Sequence, residues 1–357
     1  MSNITNVVQE DYTARVTGTA VEAEVFRQSV CCTERYDNTF LKKVPKAIIN
    51  ADFGCGNPTK YLRAGDRVLD IGCGAGMNCY IAAQVVGREG EVIGVDFTPS
   101  MLDVARGSLD AFSDDVPEAA PMRFIAASAN DLALDLEWAD DALRSTPVNS
   151  QKAMQDHVAR VRDKKIMQPA IADASVDMVI SNCVINLLDD VDKPSVFKEI
   201  ARVLVPGGRF AISDNVSNVR VPDHVKADRV MWSACYAGVL QEQEFYAQLE
   251  AAGFVDIRIE VRNPDPAHTI EDLVFYSITV TGVKPREPSA QEKNAQVLYR
   301  GPFKAVVGES GKVYQRGMIA TMADEDRLIA AEPDACGFVI TEGHAQQDEP
   351  ASKTCCS

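Results

Sequence analysis

The stretch RVLDIGCGAGMNCYIAAQVVG, residues 67–87, decides the fold. Val68, Leu69 and Ile71 form a short apolar run of strand type, glycines follow at 72, 74 and 76, and an apolar segment of helical length comes next. Strand, tight glycine turn and helix in that order bring backbone N–H groups up to a ligand at the start of the helix. Dinucleotide enzymes use a similar turn, so the glycines alone do not name the ligand. Asp70 argues against pyrophosphate there, because two negative groups would meet beside the turn.

Outward from this turn the chain alternates strands and helices. EVIGVDFT (91–98) reads as a second strand ending at Asp96, SMLDVARGSLDAF (100–112) as a helix, and MRFIAAS (122–128) as a third strand followed by Asn130 and Asp131. Residues 132–170 are polar and helix-prone, an insertion before the strand in VDMVISNCV (176–184). KPSVFKEIARVL (193–204) reads as a helix stopped by Pro206, Gly207 and Gly208, with the strand RFAISD (209–214) after it. Residues 223–254 have helical periodicity with Cys235 near the middle, and VDIRIEVR and VFYSITVTGVK alternate as two final strands. The prediction is an α/β fold with helices on both faces of a Rossmann-like sheet. It carries an N-terminal cap over 1–62, a ligand-binding domain over 63–286, and a C-terminal region over 287–357 set off by a linker and ending in a polar tail. In such a sheet ligands sit at the carboxyl ends of strands. SNCVINLL, residues 181–188, places Cys183 at one of those ends, either as a small buried hydrophobe or as a ligand.

Composition narrows the chemistry. A net charge of -16 over 357 residues excludes a general nucleic-acid-backbone binder. The first sixteen residues show no basic-then-apolar leader, and no run approaches the roughly 20 apolar residues of a membrane helix, so a cytoplasmic protein is expected. Ten cysteines are many for such a protein and point to soft-metal or redox chemistry. With no CxxC and four scattered histidines a zinc finger fits poorly, and any shared site must be assembled from distant segments.

Taken in series, VLDIGCGAG, Asp96, the Asn130–Asp131 pair and LVPGGRFAISD resemble the class I S-adenosylmethionine methyltransferases. That resemblance implies a cofactor site formed by Asp70, Gly72, Gly74, Asp96, Phe97, Asn130, Asp131 and Asn182. Asp96 would accept the ribose hydroxyls, and the Asn130–Asp131 pair would lie against the adenine. Singly, Asp70 and Asp131 also fit as helix caps and Asp96 as a turn former. VCCT, FGCGNP, SNCVINL and SACYAGVL are similar, over residues 5–285, to the four cysteine segments of the arsenite S-adenosylmethionine methyltransferases. The resemblance implies Cys55, Cys183 and Cys235 as thiols that hold trivalent arsenic, and Cys32, or its neighbour Cys31, as an N-terminal redox partner. It also implies thioredoxin or glutathione as an external reductant. Three soft thiolates would enclose arsenic as a pyramid with its lone pair free to attack a methyl group, and no general base is required. The sequence departs from the family at Phe53, where members often carry tyrosine, at the long insertion, and at Ala234. Cys79 reads as core, Cys73 as a tolerated small residue, and Cys355–Cys356 as a tail pair without an assigned role. A methyltransferase for a small organic metabolite and a non-catalytic metalloid-binding protein remain the competing readings. The first requires a base near Asn182.

Overall fold

The computed structural model describes residues 3–17, 36–286, 295–326 and 336–342. Cys31, Cys32, Cys355 and Cys356 lie outside the described residues. The chain divides into two compact units, residues 1–285 and residues 286–357, and the described part of the expected N-terminal cap belongs to the first.

The first unit is built on a sheet of β1 (Arg67–Ile71), β2 (Glu91–Asp96), β3 (Met122–Ala126), β4 (Val176–Asn182), β5 (Leu204–Ser217), β6 (Val255–Arg262), β7 (His268–Ile270) and β8 (Leu273–Val283). Its order is β3-β2-β1-β4-β5-β8-β6, with β7 paired to β8. The first five strands pair in parallel, whereas β8 runs antiparallel to β5, β6 and β7. The chain moves outward from β1 to β2 and β3, then returns to the other side of β1 with β4. That reversal opens a crevice at the carboxyl ends of β1, β2 and β4.

Strand alternation sorts the core into two layers. Val68, Val92, Met178 and Ile180 pack with the helices Met77–Val86 and Pro99–Gly107. Leu69, Ile71, Val95 and Val179 pack with Lys193–Val203 and Glu242–Ala251 on the opposite face. The insertion forms two helices, Leu136–Ser145 and Gln151–Met167.

Two local boundaries differ from expectation. The expected helix is present as Lys193–Val203 and stops ahead of Pro206, but the strand after it begins earlier than Arg209: Pro206, Gly207 and Gly208 lie within β5, because the Gly207 N–H donates to the Lys284 carbonyl and the Lys284 N–H to that of Gly208. Cys235 is not in the middle of a helix. The helix Arg229–Ser233 stops just before it, and Cys235 adopts φ +63°, a left-handed conformation that cannot propagate a right-handed helix. Met231 and Trp232 pack in a third apolar cluster with Tyr236 and Phe275.

The second unit holds an antiparallel three-stranded sheet, with Gln296–Tyr299 between Ile319–Thr321 and Phe338–Glu342. It also carries the hairpin Ala305–Val307/Val313–Gln315. Val297, Tyr299, Tyr314, Met322 and Phe338 form its core.

Candidate active site

The glycine turn after β1 is shaped by what lies beside it. Gly72, Gly74 and Gly76 all have positive φ, and a Cβ on Gly72 would stand 2.4 Å from the Val184 side chain. The Cys73 N–H donates to the Val95 carbonyl, which ties the turn to the end of β2. Asp96, the last residue of β2, accepts from the Gly74 N–H at 2.9 Å and from the Thr98 N–H at 2.8 Å. Burial raises its carboxyl above the ordinary range while these N–H groups oppose the rise. The result is a fixed acceptor on the rim of a cavity also lined by Gly72, Gly74, Phe97, Met101, Asn130, Asn182 and Cys183.

This lining fits a nucleoside-bearing cofactor: a carboxylate for vicinal hydroxyls, a glycine backbone permitting close approach, and apolar Phe97 and Met101 beside them. Two acids expected at the site do not line it. Asp70 is fully buried beneath the turn, where Oδ2 accepts from the Cys79 thiol at 3.3 Å and Oδ1 has no hydrogen-bond partner. Burial pushes its carboxyl up to about 7. Asp131 is paired at 2.8 Å with Lys165 of the insertion.

The cysteines meet at the same end of the sheet. Cys183 is the first residue past β4, at φ +59°, with its N–H donated to the Ser213 carbonyl. Asn182 lines the cavity, but its amide is spent on the segment that carries Cys55. Oδ1 accepts from the Cys55 and Gly56 N–H groups at 2.9 and 3.0 Å, and Nδ2 donates to the Gly56 carbonyl at 2.8 Å and to the Tyr36 hydroxyl at 3.4 Å. The approach is so close that a Cβ on Gly54 would lie 2.4 Å from Asn182 Nδ2. Held this way, Cys55 and Cys183 are joined as a disulfide, with Cα atoms 5.9 Å apart.

Asp214 of β5 faces the pair, and among the described residues its carboxylate and the two sulfurs form a cluster within 4.8 Å. The carboxylate accepts from the Ile185 N–H at 3.0 Å and Asn186 Nδ2 at 2.6 Å, and burial pushes it up to about 7. Sequence reasoning missed this acid, whose signal was its place one residue beyond Ser213, the β5 partner of Asn182.

Cys235 arrives from the other side and stands outside that cluster of ligand atoms. Its thiol donates to the Cys183 carbonyl at 3.6 Å and lies 3.7 Å from the Tyr12 hydroxyl. Burial foremost, and the charge of Asp214 next, push the thiol up to about 12. The turn after it is pinned by the fully buried Lys193, which donates to the Gly238 carbonyl and pairs with Asp190. Tyr12 belongs to the N-terminal helix Asn3–Val16, a contributor to the cavity wall that the sequence reading left unassigned. The structure therefore gathers Gly72, Gly74, Asp96, Phe97, Asn130, Asn182 and Cys183 around one cavity, with Cys55 bonded to the last. Cys79 and Cys73 are both buried, and Cys73 also borders the cavity. Among the described residues no helix is long and apolar enough to cross a membrane.

Residues 62–155 and 140–253 match the methyltransferase domain family, and residues 286–357 match a domain of unknown function. The arsenite methyltransferase of Aquipseudomonas alcaligenes is 30% identical over 287 residues, which span 77% of this chain and 72% of that protein. The arsenite methyltransferase of Mus musculus is 27% identical over 355 residues, 94% of this chain and 85% of its own. The crystal structure of an arsenic(III) S-adenosylmethionine methyltransferase from Chlamydomonas reinhardtii superposes with a TM-score of 0.58 at 26% identity, covering 92% of this chain and all of that one.

Proposed function

The chain belongs to the arsenite methyltransferase family, an S-adenosylmethionine-dependent enzyme class, and from that premise we propose that it methylates trivalent arsenic held by cysteine thiols at the mouth of the cavity. The observation that carries this reading is the convergence of Cys55 and Cys183, 128 residues apart, beside a cavity edged by Gly72, Asp96 and Asn130.

When bound, S-adenosylmethionine supplies an electrophilic methyl group on a sulfonium. The chain's part is to bind and orient. The Gly72–Gly74 backbone and the Asp96 carboxylate would hold the nucleoside, with Phe97 and Asn130 beside it. Cys55 and Cys183, once reduced, take arsenic by ligand exchange: each thiol gives its proton to a departing hydroxide, which leaves as water while an As–S bond forms. Cys235 completes the sulfur set and leaves the arsenic lone pair as nucleophile, so no base is needed.

Methylated arsenic is formally pentavalent. Two thiolates that close a disulfide return two electrons to it, and the bonded Cys55–Cys183 pair is the product such a step would leave. Cys32 or Cys31 would take part by exchange, its thiolate attacking that disulfide and releasing one of the two sulfurs as a thiolate, and a dithiol or glutathione-type reductant would supply the two electrons that reopen the resulting disulfide. A cytoplasmic setting suits that cycle, and detoxification suits its product.

A methyltransferase for organic acceptors would need a base near Asn182. Asp214 is an acid there, but its oxygens are tied to Ile185 and Asn186 and it faces the paired sulfurs. The test is to incubate the reduced protein with S-adenosylmethionine, arsenite and a thiol reductant, and to separate the products by mass. Methylated arsenicals are expected from the parent and none from Cys183→Ser, in which a hard alcohol replaces the soft ligand and cofactor affinity persists. Turnover of arsenite by a folded Cys183→Ser at the parent rate would reduce Cys183 to packing.

A further inference from the structure

The N-terminal helix touches both cysteine-bearing loops, through Asp11, Tyr12 and Arg15. The Tyr12 ring stands edge-on to Phe53, two residues before Cys55, with centroids 5.7 Å apart and planes at 87°. The Arg15 guanidinium lies 4.5 Å from the Tyr12 ring centroid and 5.2 Å from that of Phe53. Arg15 also donates to the Ser233 carbonyl at 2.9 Å, two residues before Cys235, and the Ser233 hydroxyl donates to Asp11 of the same helix. The helix thus braces the Cys55 segment against the Cys235 turn.

Either atom of the Tyr12–Cys235 contact could donate, and the second partner of the thiol decides between them. The Cys235 thiol spends its single proton on the Cys183 carbonyl, so the contact between Tyr12 and Cys235 leaves the hydroxyl as donor and sulfur as acceptor. On ligating arsenic the thiol surrenders that proton and loses its bond to the carbonyl. The Tyr12 hydroxyl then remains as a polar group directed at the sulfur.

We propose that Tyr12 is a positioning residue for Cys235, steering it in as the third sulfur ligand of inorganic arsenite while its ring fixes the distance to the Cys55 segment. The inference rests on the arsenite reading above and deepens it. The step it governs balances without redox change: arsenite with three hydroxides and three thiols gives one tris-thiolate and three waters.

The experiment uses the full, reduced chain loaded with arsenite alone, and reads the arsenic coordination shell by X-ray absorption. Methylation kinetics are measured in parallel on the parent, Tyr12→Phe, Cys235→Ser and the double variant. Phenylalanine keeps the ring and its packing, and removes only the donor. Three sulfur neighbours are expected in the parent, and oxygen replaces part of the third shell position in Tyr12→Phe. The value of kcat/KM for arsenite falls about threefold to tenfold, as for a lost hydrogen bond. Because Tyr12 acts through Cys235, the double variant should be no slower than Cys235→Ser. A three-sulfur shell and parental kinetics in Tyr12→Phe overturn the positioning role and leave the methylation reading intact, as do additive losses in the double variant. A parent that binds arsenite through three sulfurs without methylating it overturns that reading alone, and a parent that binds no arsenite overturns both.

Discussion

Replacing Asn182 by alanine isolates what holds Cys55 against Cys183. Three of the four amide hydrogen bonds go to the loop: two accepted from Cys55 and Gly56 and one donated to the Gly56 carbonyl. At about 1 kcal/mol net each, their loss weakens loop docking by roughly 2–4 kcal/mol, the upper end applying if the freed N–H groups stay dry. Each 1.4 kcal/mol is about tenfold, so under the proposed Cys55–Cys183 site, which requires the docked loop, arsenite affinity should fall by roughly 30-fold to several hundredfold. Ser277, whose hydroxyl donates to the Cys55 carbonyl at 3.3 Å, limits the loss. Affinity for S-adenosylmethionine should change by less than about threefold, because the amide is already engaged by protein groups. Asn182→Asp keeps the two acceptor contacts but sets an oxygen against the Gly56 carbonyl, so it should fall between parent and alanine variant. Calorimetric titration of reduced protein with each ligand decides the matter. A large loss of cofactor affinity with arsenite binding unchanged would return Asn182 to the cofactor site and refute the loop-clamp reasoning.

Asp96→Ala removes the rim acceptor and frees the Gly74 and Thr98 N–H groups, so cofactor affinity should fall by about 1–3 kcal/mol; unchanged affinity by calorimetry would remove Asp96 from the site. Asp70, raised from 3.8 to about 7, holds its proton in the folded chain at pH values where the unfolded chain has released it. Its contribution to stability is therefore present at low pH and is lost as pH rises between about 4 and 7, on the order of 4 kcal/mol in all. Asp70→Asn should flatten that slope in urea unfolding between pH 5 and pH 8, with the remainder due to the other buried carboxyls that are raised, Asp214 and Asp96; an unaltered slope would show that Asp70 ionises normally.

What the sequence disclosed depended on how locally each feature is determined. β1 is an apolar run with a glycine turn immediately after it, and Gly72, Gly74 and Asp96 lie at strand ends, so local pattern sufficed to bring them to the cavity. Asp70 shows where that logic stops. It shares a face with Val68, beneath the helix Met77–Val86, whereas Asp96 is the last residue of its strand and escapes the alternation. Asp131 was claimed by Lys165, 34 residues on in an insertion with no motif to announce the pairing. Tyr12 and Cys235 meet across 223 residues, and neither carries a local signature of the other.

Cys183 and Cys235 add a physical reason for the missed geometry. Both adopt left-handed backbone, near φ +60°, at a cost of about 1–2 kcal/mol for a residue with a Cβ. Propensity alone would never place them there, and periodicity extends a helix straight through Cys235. The cost is offset by contacts made only in the folded chain: the Ser213 carbonyl for the Cys183 N–H, the Trp232 carbonyl for that of Cys235, and Lys193 on the turn beyond. The left-handed turns end β4 and the helix Arg229–Ser233 where each cysteine begins, and the Cys235 thiol reaches the Cys183 carbonyl instead of continuing along a helical face. The strain is thus the local expression of tertiary packing: the sequence shows that cysteines stand at 183 and 235, but not the direction in which the folded chain turns each of them.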